Sequence, residues 1–108
     1  MKGKICLSLA TILSSAGIAA ADAGATWNAN CARCHGKDGS GNTAMGKKLN
    51  TKDYRDAKVQ AMFSDAEAER AIKEGVKTNG KETMKAFGGK LSDADVKALV
   101  AYIRSFKK

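Results

Sequence analysis

The five residues Cys31-Ala32-Arg33-Cys34-His35 constrain this chain more than any other stretch of it. They contain its only histidine and every cysteine except Cys6. Two cysteines three residues apart lie on the same side of a helical turn, so their sulfurs face the same way. An imidazole directly after the second cysteine can swing beneath whatever those sulfurs hold. The chain has 108 residues. That excludes a Rossmann domain, a TIM barrel and a multidomain enzyme. A domain this small buries a modest fraction of its surface and commonly relies on a disulfide, a metal or a cofactor. The identity of that staple is the question the motif poses.

Four chemistries compete for it. A structural zinc site wants four ligands; three are present, and Cys34 and His35 are adjacent. A thioredoxin-like C-x-x-C needs a βαβ setting, and no strand pattern is evident. A disulfide across two intervening residues would leave His35 idle. C-x-x-C-H is also the haem c attachment pattern. Cys31 and Cys34 then form thioethers to the two vinyl groups of one porphyrin, and His35 becomes an axial ligand of the iron. This reading uses all three side chains.

The amino terminus agrees with it, because such attachment takes place outside the cytoplasm. Met1 to Lys4 carry two lysines and no acid, Ile5 to Leu13 is a short apolar run, and small residues end in Ala19-Ala20-Ala21. That is the three-part layout of a secretory signal peptide, with cleavage expected between Ala21 and Asp22. The expected division is residues 1–21 as signal and residues 22–108 as one domain. Cys6, Lys2 and Lys4 leave with the signal, so the formal charge falls from +8 to +6.

Proline is absent, and alanine and lysine are abundant, which favours helices over strands. A first helix is expected from Asp22 to Cys34, with Trp27 and Cys31 on one face and Trp27 serving as core. Gly36 and the glycine-rich run to Gly41 end it. Ser64-Asp65-Ala66-Glu67 is a capping box that starts a second helix, stopped by Gly75. Ser92-Asp93-Ala94-Asp95 starts the last one. There Leu91 and Val96 form a hydrophobic staple, and Val96, Leu99, Val100 and Ile103 recur at helical spacing. Residues 53–61 have room for a short helix. Gly75 to Leu91 reads as a long loop between two helices, which calls for a reason. Crossing the far face of a porphyrin to deliver a thioether would be one, so Met84 is the expected sixth ligand, ahead of Met45 and Met62.

At this point the sequence resembles the class I cytochromes c, the small single-haem bacterial type. The resemblance rests on Cys31 to Gly36, Asp38 to Gly41, Gly46 to Leu49, Met84 to Phe87 and Lys90 to Arg104. It implies an all-α fold wrapped around one covalently bound haem, with the first and last helices crossing. It also implies His35 and Met84 as axial ligands and periplasmic electron transfer as the role. One departure stands out. The family usually has Gly-Pro where this chain has Gly46-Lys47, and the proline carbonyl accepts a hydrogen bond from the ligand histidine. The Lys47 carbonyl is the expected substitute.

Together these readings describe a soluble one-electron carrier and not an enzyme, since a six-coordinate iron has no open site. The alternative is a haem-based ligand-binding or redox-sensing module with a labile methionine. Lys47, Lys48, Lys81, Lys85 and Lys90 flank the ligand loops and would steer an acidic redox partner. Nucleic acid and stable membrane insertion are not expected, and a monomer is.

Overall fold

The structure, a computed structural model, describes residues 15–108, with side chains from Asp22 onward. The expected signal segment lies outside the described residues up to position 14. A first helix, α1 (Ser15–Asn30), buries Ala23 and Trp27. It gives way at Cys31 to a one-turn helix, α2 (Ala32–His35). The single helix expected over Asp22–Cys34 is therefore two, interrupted where Cys31 takes φ −118°. The hydrogen bonding nevertheless runs through the break: Cys31 N–H donates to the Trp27 carbonyl at 2.8 Å and His35 N–H to the Cys31 carbonyl at 2.9 Å.

Two short helices follow. In α3 (Ala44–Lys48), the Thr43 hydroxyl accepts from Gly46 N–H at 2.8 Å and donates to the Cys34 carbonyl at 2.7 Å. In α4 (Ala57–Gln60), which fills the room left over residues 53–61, Asp56 caps by accepting from Lys58 N–H at 2.8 Å. The two longer helices begin where their capping boxes place them. Ser64 and Glu67 exchange bonds of 3.0 and 2.8 Å at the start of α5 (Asp65–Glu74). Ser92 and Asp95 do the same, both at 3.1 Å, at the start of α6 (Asp93–Ser105).

The stretch between α5 and α6 corrects two expectations, the absence of strands and the long irregular loop. It opens with an antiparallel hairpin, β1 (Val76–Thr78) and β2 (Lys81–Met84), pairing Thr78 with Lys81 and Val76 with Met84. Asn79 and Gly80 form the turn with φ of 53° and 80°. Two consecutive left-handed residues match the twist of paired strands, and Asn-Gly is the pair that adopts them most readily. The fold is thus mostly helical with one small hairpin.

The core joins α1, α5, α6 and the segment after β2. Trp27, Ile72, Phe87, Val96, Leu99, Val100 and Ile103 are buried together. The first and last helices pack on each other, with the Trp27 ring 5.9 Å from that of Tyr102 and 5.1 Å from that of Phe106. Buried Gln60 anchors α4 to α6: its amide donates to the Tyr54 and Ile103 carbonyls and accepts from Arg104.

Candidate functional site

Against one side of this core lies a cavity of about 180 Å³. Trp27, Cys31 and His35 line it from the α1–α2 junction, Tyr54 and Phe63 from the segments flanking α4, Ala68, Ala71 and Ile72 from α5, and Leu99 and Ile103 from α6. Met84 completes the wall from the end of β2, and the only charged lining groups are Lys52 and Glu67. The local reason for the motif's placement is Trp27, four residues before Cys31. Its indole Nε1 donates a buried 2.9 Å bond to the Gly36 carbonyl, so the tryptophan fixes both ends of the Cys31–Gly36 turn.

His35 is held between aromatic rings. Its centroid is 5.5 Å from Tyr54 in a stacked pair and 5.4 Å from Trp27. Burial pushes its pKa below the usual imidazole value, which favours the neutral ring. Its Nδ1 is buried and has no hydrogen-bond partner. Sequence analysis expected the Lys47 carbonyl there. That carbonyl instead accepts from Asn50 N–H at 3.4 Å. The substitution of lysine for the usual proline thus coincides with an unpartnered histidine nitrogen.

Both motif cysteines are free and partly buried. Burial, and secondarily the neighbouring Cys34 charge, push the Cys31 thiol up to about 11, so its sulfur is neutral at ordinary pH. A neutral sulfur in an apolar wall suits a thioether better than a thiolate–metal bond. Consistently, the described residues contain no cluster of three His, Cys, Asp or Glu able to bind an ion. Cys34 does not line the cavity, and its carbonyl is tied to Thr43. Among the three methionines after the expected signal, only Met84 lines the cavity and packs on the core. Met45 and Met62 are 37% and 63% exposed.

The donor set and the apolar lining fit a haem c. Comparison with known proteins agrees. The family model described as "Cytochrome C oxidase, cbb3-type, subunit III" matches residues 19–103. The chain is 39% identical to cytochrome c6 of a Synechococcus species over 90% of its own length and 80% of that protein's. It is 40% identical to cytochrome c6 of Bumilleriopsis filiformis over 73% and 81% of the two chains. Among solved structures, the KustC0563 c-type cytochrome superposes with a TM-score of 0.72 at 38% identity, covering 81% of this chain and 99% of that one.

The chain is a class I cytochrome c. As a cytochrome of this family it is an electron carrier bearing one covalently bound haem c. The sequence pattern around the motif shows which residues line the cavity from the α1–α2 side. It gives no warning of Tyr54, Phe63, Lys52 or Glu67, which reach the cavity from segments without a motif. The clue closest to a signal is that Tyr54 and Phe63 are the only Phe, Tyr or Trp residues between Trp27 and Phe87.

Proposed function

We propose that this cytochrome is an exported, soluble one-electron carrier in which Cys31 and Cys34 hold the haem through thioethers while His35 and Met84 supply the two axial ligands. The observation that carries this reading is the convergence on one cavity of Cys31, His35 and, among the described methionines, Met84 alone. The haem supplies an iron that cycles between ferrous and ferric states, and His/Met ligation in an apolar pocket raises its potential.

The protein's own part is to keep that iron's surroundings constant. Tyr54 and Trp27 clamp the imidazole plane. Burial lowers the pKa of the ring and so favours the unprotonated form, the one that can act as a ligand. Ala68, Ala71, Ile72, Leu99 and Ile103 keep water out. With both axial positions filled by the chain there is no site for a substrate, hence a carrier and not an enzyme. Residues 1–21 serve as a cleaved signal that places the domain in the periplasm. There the helices wrap the haem, and exposed lysines meet an acidic redox partner.

The test is the spectrum of the natively exported protein. A pyridine haemochrome assay is expected to report one haem bound through two thioethers. The ferric form is expected to show a sulfur–iron charge-transfer band that Met84→Ala abolishes and that Met45→Ala and Met62→Ala retain. The ferrous wild type is expected to bind carbon monoxide slowly or not at all at neutral pH. Fast binding would favour a ligand-binding or redox-sensing module, and a band surviving in Met84→Ala would refute the assignment.

A further inference from the structure

The last carbonyls of a helix lack partners within it. At the end of α5 those carbonyls are filled by the segment that follows Met84: Phe87 N–H donates to the Ile72 carbonyl at 2.9 Å and Gly88 N–H to the Lys73 carbonyl at 3.0 Å. Phe87 itself is buried in the core. The helix terminus and the methionine arm are therefore one hydrogen-bonded block, and the same helix carries Ala68, Ala71 and Ile72 in the cavity wall.

Gly75 sits in the middle of this block. It ends α5 with φ +79° and leads into β1, while the exit of β2 passes directly over it. A Cβ at position 75 would stand 2.6 Å from the Met84 carbonyl oxygen, 2.9 Å from Ala86 N and 3.0 Å from the Lys85 carbonyl carbon. All three are backbone atoms, and a side-chain rotation cannot relieve the contact. Gly88 makes a milder version, with a Cβ meeting the Lys73 carbonyl oxygen at 2.9 Å. By contrast Gly89, next in sequence, would meet nothing within 4 Å.

We infer that Gly75 is a positioning residue for the methionine ligand: by having no side chain, it lets the Met84 backbone seat on the end of α5 and so sets how firmly the thioether reaches the iron. This rests on the His/Met reading above. Adding one carbon at position 75 lifts the strand that carries Met84 away from the cavity wall, while Cys31, Cys34 and His35, on the α1–α2 side, are untouched. The expected result is a cytochrome that keeps its haem and its histidine but holds its methionine loosely.

The experiment uses the ferric holoprotein and imidazole as a competing ligand. Gly75→Ala is expected to weaken the sulfur–iron band and to bind imidazole at least about tenfold faster than wild type, a change of about 1.4 kcal/mol in barrier. Its haemochrome and far-ultraviolet circular dichroism should stay as in wild type. Gly88→Ala separates contact from conformation: Gly75, at φ +79° and ψ −179°, occupies a region open essentially to glycine alone, whereas Gly88 has no positive φ and a Cβ there still meets the Lys73 carbonyl oxygen at 2.9 Å. It is expected to be loose as well. A Gly88→Ala protein with the band and imidazole rate of Gly89→Ala would overturn the inference, because backbone conformation alone would then explain Gly75. Should Gly75→Ala fail to fold, Gly88→Ala carries the test, with faster imidazole binding than Gly89→Ala supporting it and equal rates refuting it. Met84→Ala tells this failure from that of the ligand assignment. If it loses the band while Gly75→Ala and Gly88→Ala keep theirs, only the positioning role falls; if it keeps the band, both fall.

Discussion

Trp27 and Gln60 show what a single residue can and cannot announce. Trp27 is 1% exposed, and its place four residues before Cys31 marked it as core from the sequence. What the spacing does not contain is the indole's bond to the Gly36 carbonyl, because that depends on how the chain turns after His35. Trp27→Phe keeps most of the ring but removes one of the two bonds that carbonyl accepts, leaving the one from Gly39 N–H at 3.1 Å. The expected cost is about 1 kcal/mol, read as a lower denaturant midpoint with the haemochrome unchanged. A midpoint equal to wild type would show that water replaces the indole. Gln60 was not legible at all. A glutamine in a polar stretch gives no sign of burial, and its partners Ile103 and Arg104 are more than 40 residues away. The motif residues were legible because their chemistry is local. The place of Met84 on the cavity wall was legible only by position, and its seat on Gly75 depends on a contact between segments that sequence spacing does not reveal.

At the scale of elements, what was legible divides by length. The two capping boxes forecast α5 and α6 because each is complete within four residues and precedes a helix long enough to show a period. α3 and α4 are five and four residues long, too short for periodicity to register. The strands are three and four residues, and the Asn79-Gly80 turn is the one local signal of them. The join between α5 and α6 makes a prediction of its own. Lys73 pairs with Asp93 at 2.8 Å at the start of α6, and its hydrogen bond holds the Asp93 carboxyl below the ordinary 3.8. A carboxyl whose pKa is depressed in the folded state adds stability above its unfolded pKa, and that stability is lost as pH falls through the folded value. Stability is therefore expected to drop as pH falls below about 4, and less steeply in Asp93→Asn, with thermal melting across pH 2–6 as the measurement. Because the pair is exposed, the difference should be small and should shrink with added salt. Ser92→Ala breaks the cap next to it and is expected to cost about 1 kcal/mol at every pH. That pH-independent loss separates the two contributions.

For the molecule as a whole, the distribution of charge matters more than its total. Several cations are committed internally: Lys73 to Asp93, Lys97 to Glu69, Arg104 to Asp65, and Arg55 to Asp53 and Asp38. Lys47, Lys48, Lys81, Lys85 and Lys90 are exposed, and none forms an ion pair among the described residues. They lie on α3, which packs against the motif, and on the hairpin and arm that present Met84. Part of the unneutralised positive charge thus lies in the segments that bracket the proposed ligands. Steering by such a surface raises encounter rates when the partner is acidic, and screening removes the gain over a Debye length of about 10 Å at 0.1 M salt. The second-order rate of electron transfer to an acidic protein partner is therefore expected to fall steadily as ionic strength rises. Lys81→Glu/Lys85→Glu should lower the rate at low salt and flatten the dependence, while reduction by a small neutral reagent stays as in wild type. A steep salt dependence that survives the double substitution would move the docking face away from the hairpin and towards Lys47 and Lys48. No dependence in the wild type would mean that these lysines do nothing beyond keeping the protein soluble.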